Sequence, residues 1–440
     1  MTADQVLSLA PDAASAKAAQ GLAAPRAWVG AGIDGALLWG ECKGSGATPY
    51  QTRVDLTTVA YKCSCPSRKF PCKHVLGVLL LHAAGGVAQA VAPEWASAWL
   101  AERDAKVQRA AETAAKPRAP ADPAASEAAA AKRAKAREAR VAAGIDECAL
   151  WLRDVVRLGL AHAQTQPSRY WEERAARLVD AQCAGLARRV RALASTVASG
   201  AGWESRLLDS LGEIALLCTA YGRLDALPEA LRADVRRHVG WTQTQDEIVA
   251  RAFDVVDDRW LVVGTRSEEE ERLTVRRTWL RGERTRRDAL LLQFAPSGAP
   301  VPDPLVAGAR LDARLVFVES AAPLRAVFAE RGAFEAASAP PDAAPLDEAL
   351  GAYARAIGGD PWLERFPFVL RDVTPLHTAD GRWYVRDARD RALPLARTLR
   401  EPFVLHACAG GHPVTVAGEW DGRALLPLGL WSGARYTALV

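Results

Sequence analysis

The chain has 440 residues, with 56 Lys and Arg against 52 Asp and Glu, for a formal net charge of +4. Half of the residues are hydrophobic and a quarter charged, which excludes wholesale disorder, and the length suits roughly two to four domains with their own cores. No apolar run approaches the ~20 residues that cross a bilayer and Met1–Gln5 lacks the basic start of a secretory signal, so a soluble cytoplasmic protein without membrane contact is expected.

The first forty residues predict an alanine-rich helix from Asp12 to Leu22, then strands at Trp28–Gly30 and Ala36–Gly40. Residues 41–82 form a turn-rich unit that holds the dense Cys and His chemistry, the core of an N-terminal region spanning 1–98. Residues 99–141 read as a basic, Ala/Pro-rich flexible linker. Pro117, Pro120 and Pro123 forbid a continuous helix, while Ala128–Arg140 suits a solvated basic one.

Residues 142–240 read as a helical domain. Trp171, Ala175, Leu178, Gln182, Leu186, Val190 and Leu193 recur at steps of three or four, and Leu207, Leu211, Ile214, Cys218 and Tyr221 repeat the pattern. Pro228 suits the first turn of a further helix through Val239. Residues 241–440 are β-rich, with short strands at Ala252–Val256, Trp260–Val263, Leu273–Leu280, Leu290–Phe294, Arg314–Val318, Trp383–Val385, Phe403–Leu405 and Val414–Val416. One helix, Leu346–Ile357, interrupts them, and the acidic run Glu268–Glu271 reads as a solvated hairpin tip. The expected fold class is α+β multidomain: a small zinc-stabilised hairpin–helix module, a helical bundle and a β-rich C-terminal region.

The clearest chemical signal is Cys63-Ser64-Cys65-Pro66-Ser67-Arg68-Lys69-Phe70-Pro71-Cys72-Lys73-His74, a C-x-C-x6-C-x-H spacing. Three cysteines and a histidine are what a closed tetrahedral zinc shell takes. Cys63 and Cys65 project from one side of a strand end, Pro71 suits the start of a helix, and Cys72 and His74 then fall in its first turn. A disulfide fits poorly in a reducing compartment, iron–sulfur clusters usually take four cysteines, and catalytic zinc keeps a position open. One structural zinc ion on Cys63, Cys65, Cys72 and His74 is the expectation. Cys42 is read as a packed thiol outside that set, Cys148, Cys183 and Cys218 as bundle-core thiols, and His82 as a surface or capping residue. His406-Ala407-Cys408-Ala409-Gly410-Gly411-His412 is read as a strand and turn rather than a second metal site.

This spacing, followed by an apolar helix and preceded by Trp39-Gly40-Glu41-Cys42-Lys43-Gly44-Ser45-Gly46 and Pro49-Tyr50, resembles the SWIM-type zinc finger of bacterial proteins of about this size. The resemblance covers mainly residues 28–82, with Leu9-Ala10-Pro11-Asp12 as a further fragment. It implies zinc binding and a role in protein or nucleic-acid contacts, in some members beside MoxR-type ATPases and von Willebrand A-domain proteins.

Charge is concentrated rather than spread. Residues 41–82 carry six basic and two acidic residues, and residues 101–141 carry ten and six, so the remaining chain is mildly acidic. Arginine abundance is no evidence for nucleic-acid binding by itself, since a G+C-rich coding sequence would produce it, and only nine of the basic residues are lysine. Lys62, Arg68, Lys69 and Lys73 are therefore candidate contacts for a partner, with Phe70 able to stack on a base. The same cations equally suit the task of offsetting the anionic zinc–thiolate core, with Phe70 packed beneath it. No P-loop, nucleophile elbow or dinucleotide fingerprint is present in the sequence, and no residue stands out as catalytic. The leading expectation is a non-enzymatic interaction protein with a protein partner. The alternatives are DNA or RNA binding through residues 41–141, and an enzyme within the C-terminal region.

Overall fold

The computed structural model describes every residue except 8, 45, 47, 116–122, 271–272, 298, 300, 302–303, 338 and 440. The N-terminal region starts with α1 (Ala3–Leu7) and α2 (Ala13–Gln20), the latter capped by Asp12, whose carboxylate accepts from the Ser15 N–H at 2.7 Å. Strands β1 (Trp28–Asp34), β2 (Leu37–Cys42), β3 (Tyr50–Asp55) and β4 (Ala60–Cys63) form an antiparallel meander, and β5 (Ala88–Gln89) adds to β1 in parallel, giving the order β4-β3-β2-β1-β5. Helix α3 (Lys73–Ala83) packs on this sheet through Val75, Leu76, Val78 and Leu79, all essentially buried. Gly77 lets the helix close: a Cβ there would lie 2.7 Å from Cβ of Leu22.

Helix α4 (Glu94–Ala115) and helix α5 (Pro123–Leu158) flank residues 116–122. The linker expected over 99–141 is thus helical on both sides of the proline cluster, whose residues 116–122 lie outside the described ones. Ala, Glu, Lys and Arg, poor in core-forming side chains, are strong helix formers, and proline, which cannot continue a helix, falls between the two. Helix α5 then runs on into the bundle, where Val141, Ile145, Cys148, Leu152 and Val155 supply a buried stripe. The bundle is completed by α6 (Leu160–Thr165), α7 (Ser168–Asp180), α8 (Ala184–Val197), α9 (Trp203–Tyr221) and α10 (Glu229–Val239) around Trp171, Leu186 and Leu193. Pro228 caps α10 from just outside rather than occupying its first turn.

After Trp241 one helix precedes the strands: α11 (Gln245–Arg251), started by a capping box between Thr244 and Glu247. Strands β6 (Asp254–Glu270), β7 (Leu273–Gly282), β8 (Asp288–Pro296), β9 (Ala309–Phe317) and β10 (Ala326–Ala336) make an antiparallel sheet in the order β10-β9-β6-β7-β8. Helix α12 (Leu346–Gly359) leads to a second sheet of β11 (Phe366–His377), β12 (Trp383–Arg386), β13 (Ala392–Pro394), β14 (Val414–Trp420), β15 (Leu425–Ser432) and β16 (Arg435–Ala438), ordered β13-β12-β11-β14-β15-β16. The two sheets share one core containing Trp260, Trp279, Phe317, Phe368 and Trp431.

Two local expectations are corrected here. Phe403–Leu405 and the following His406–Ala409 lie in a helix, α13 (Pro402–Ala409), opened by Pro402 and closed by Gly410 at φ +56°, not in a strand. The acidic run does stand at a hairpin end, where Glu270 lies across from Leu273, but Glu268–Glu270 belong to β6 itself and are partly ion-paired rather than fully solvated: Glu268 pairs with Arg266 and Arg277, and Glu270 with Arg277 at 2.9 Å. Glu271 lies outside the described residues.

Both N-terminal units pack against the C-terminal sheets. The buried Gln5 amide donates to the Gly308 carbonyl at 3.0 Å, and Val306 and Ala309 join the core of the finger region. On the bundle side Trp362 inserts into the helical core and donates to the Glu213 carbonyl at 2.9 Å. Beside it Asp360, fully buried, accepts from His238 at 3.0 Å and from Arg237 at 3.1 Å. Burial raises the carboxyl, and the His238 hydrogen bond with the Arg237 charge outweighs it, holding Asp360 below the usual carboxylate range.

Candidate metal centre

The site is built where a hairpin end meets a helix start. Strand β4 ends at Cys63, which pairs across from Thr52 on β3, and Thr52 Oγ1 lies 3.3 Å from the Cys63 sulfur. The ladder continues one step further, since Ser64 N–H donates to the Gln51 carbonyl at 3.0 Å and Ser64 Oγ accepts from Gln51 N–H at 2.9 Å. That closure turns Cys65 back toward the helix. Cys72 is the N-cap of α3 in an extended conformation, with φ −73° and ψ 165°, and His74 lies in the first turn. Pro71 therefore precedes the cap instead of opening the helix. Tyr50 stacks on the His74 ring at 4.8 Å and fixes its plane from the β3 side.

The donor atoms of Cys63, Cys65, Cys72 and His74 all lie within 4.8 Å of one another. Cys63 Sγ stands 3.8 Å from His74 Nδ1, against about 3.5 Å for the S–N edge of a zinc tetrahedron with Zn–S and Zn–N bonds near 2.3 and 2.0 Å. Cys72 and His74 are buried, and Cys63 and Cys65 half-buried. The crowding shows in the acidities: the Cys63 thiol is pulled down to about 3, chiefly by a hydrogen bond from Cys72, whereas burial raises Cys65 and the interaction with Cys63 raises Cys72. Three thiols held this close cannot all ionise unaided. A dication is the group that would let them, so the donor chemistry and the spacing both fit one structural zinc ion with no open position.

Cys42 is fully buried and outside the cluster, its thiol near the Lys43 carbonyl at 3.7 Å. Cys148, Cys183 and Cys218 are buried in the bundle core, and His82 sits half-buried in the last turn of α3. Among the described residues the Cys63 cluster is the one group of three or more Cys, His, Asp or Glu donors close enough to hold an ion.

Lys62, Arg68, Lys69 and Lys73 are all exposed. Lys69 and Lys73 share an open cleft of about 1130 Å³ with Lys43, Tyr50 and His74. Lys69 also pairs with Asp12 at 2.7 Å and draws that carboxyl down to about 2, which ties the loop between the ligands to the cap of α2. Arg68 and Phe70 face away from that cleft, into one shared with the C-terminal sheets, where Phe70 keeps 39% of its surface exposed. Lys62 lies on β4 and lines neither cleft. The stacking role of Tyr50 was visible only in part: Tyr50 and Thr52 are two apart on one strand, which places both on the face that β4 presents to the metal donors.

The comparisons with known proteins fall on the same residues. A SWIM zinc finger matches residues 50–83, which contain all four donors, and a SWIM-associated four-helix bundle domain matches residues 136–239. No curated protein and no solved structure matches the chain.

Proposed function

We propose that this chain, a SWIM zinc finger protein with the associated four-helix bundle, is a non-enzymatic interaction protein whose finger is held by zinc on Cys63, Cys65, Cys72 and His74. The observation that carries the reading is the closed donor shell: four protein ligands leave no coordination position for a substrate or a reactive water, so the metal shapes a surface. That surface is basic, and Lys62, Arg68, Lys69 and Lys73 are its proposed partner contacts. A protein partner is favoured, because the basic charge stops near residue 141 while most of the chain beyond it is mildly acidic. A MoxR-type ATPase assembly, implied by the family resemblance, is one such partner. The eight free cysteines support a reducing, cytoplasmic setting, and among the described residues no helix is long and apolar enough to cross a membrane.

DNA or RNA binding is the second reading, favoured by the exposure of Phe70 between cations. Titration of duplex and single-stranded DNA and RNA at two salt concentrations separates the two readings. The protein reading expects at most weak, salt-erased binding, in the range of about 10⁻⁴–10⁻⁶ M. It also expects affinity capture from native cells to recover a partner that is lost with the Cys72→Ser variant. Tight nucleic-acid binding with no recovered protein would overturn it.

A further inference from the structure

A wide opening lies between the finger and the C-terminal sheets. It is a cleft of about 2090 Å³, open to solvent, with the finger loop Arg68–Pro71 on one side and strands β6 and β7 on the other. Its apolar lining includes Leu9, Pro11, Phe70, Val301 and Leu399.

One wall residue is out of place for a structural role. Arg276 is 9% exposed, donates a single hydrogen bond, to the Leu305 carbonyl at 2.9 Å, and leaves its Nε without a partner. Among the described residues no carboxylate pairs with it. An arginine buried without a counter-charge is held at the expense of its hydration, and here that burial lowers its pKa to about 10. Three half-buried arginines of these sheets are matched: Arg266 pairs with Glu268 and Glu419, Arg277 with Glu268 and Glu270, and Arg281 with Asp288. Arg276, more deeply buried than these, is not matched, and it lines the cleft, as do the exposed Arg68 and Arg400.

The described acidic residues of the cleft do not supply the missing charge. Glu268 is spent on Arg266 and Arg277, and Glu269 accepts from Thr274 and Ser297 at 2.7 Å each. Among the described residues no side chain brings it, and a ligand can. We propose that this cleft is a docking site for an acidic, partly apolar polypeptide segment of a partner, one carboxylate of which pairs with Arg276 while Arg68 and Arg400 hold the segment at the rim. A nucleic-acid strand fits less well, because Glu268 and Glu269 line the same wall and would face its phosphates, and Phe70 is the one exposed aromatic among the cleft residues. An acidic peptide with apolar side chains meets both the arginines and the apolar lining.

This deepens the interaction reading and rests on it. The test uses the full, zinc-loaded chain and a fluorescein-labelled peptide of about ten residues alternating Glu and Leu, beside its Lys/Leu counterpart and an oligothymidylate of similar length. Fluorescence anisotropy should report salt-sensitive binding of the acidic peptide alone. Arg276→Gln should weaken it by at least about tenfold. Because Arg276 is buried, the exposed variants Arg68→Ala and Arg400→Ala provide an independent check, with zinc content and circular dichroism confirming an intact fold. Each should weaken the peptide severalfold and together abolish binding. Absence of peptide binding, or equal binding by the Arg68→Ala/Arg400→Ala chain, would overturn the assignment. So would preferential binding of the oligothymidylate through the same arginines. If that double variant still captured the cellular partner at wild-type level, the interaction reading would stand and the cleft assignment would fall.

Discussion

The finger and the helical bundle hold short elements together with different materials. In the bundle, Trp171, Leu186, Leu193 and Leu207 are buried to 1% exposure or less, and the helices meet through side chains that come round at the helical period. In the finger that kind of packing stops halfway along the hairpin–helix unit. Val75 to Leu81 anchor α3 to the sheet, but residues 64–70 are half-buried or exposed, and the hairpin end reaches the helix start through the four donors and the Tyr50–His74 stack. The difference teaches where a metal is structurally required: at the end of a unit whose apolar residues cover only the other end.

This contrast can be broken by experiment. Chelation should have the largest effect, since a structural zinc site contributes about 10–16 kcal/mol of apparent binding energy in isolated fingers. Hydrogen exchange should accelerate across residues 60–75 and leave the bundle protected; a global loss of protection would show that the units are not separable. Next comes Trp171→Ala, a buried aromatic removed from a core that no metal supports. It should cost the bundle about 3–5 kcal/mol in denaturant unfolding while zinc content stays unchanged.

Asp360→Asn addresses the seam between the bundle and the sheets. It leaves Arg237 and His238 facing a neutral group beside Trp362 and should cost about 3 kcal/mol, read as a lower bundle transition. The smallest effect is a pH dependence. Burial raises the Glu364 carboxyl, yet the Arg188 hydrogen bonds and the Arg189 charge hold it at about 2, against an ordinary 4.5. A depressed carboxylate stabilises the fold above its unfolded pKa, so this contribution is complete above about 4.5 and disappears as pH falls toward about 2. The pair is partly solvated, which limits it to about 1 kcal/mol, and Glu364→Gln should flatten that slope in an acid titration of stability.

What could be read from the residues alone follows the same division. The donors were legible because twelve consecutive positions carry the whole shell, and the bundle because its period is sustained over several turns. Short apolar runs were not: Phe403–Leu405 fits a strand or a helix equally, and only Pro402 before it and Gly410 after it decide for the helix. The strand order of the two C-terminal sheets depends on pairings such as β6 with β9 across about fifty residues, which no local pattern encodes. Arg276 lies beyond reach for the same reason. In a chain this rich in arginine, one without a carboxylate among the described residues is visible only once its neighbours are assembled.

The central claim is that one zinc ion closes the finger on Cys63, Cys65, Cys72 and His74. Elemental analysis of the purified full-length chain tests it most directly, comparing the wild type with the Cys72→Ser/His74→Ala variant. The account predicts one zinc per wild-type chain and none in the variant, whose bundle helicity is retained. Unchanged metal content in the variant, or a wild-type chain that folds its finger without zinc, would contradict it.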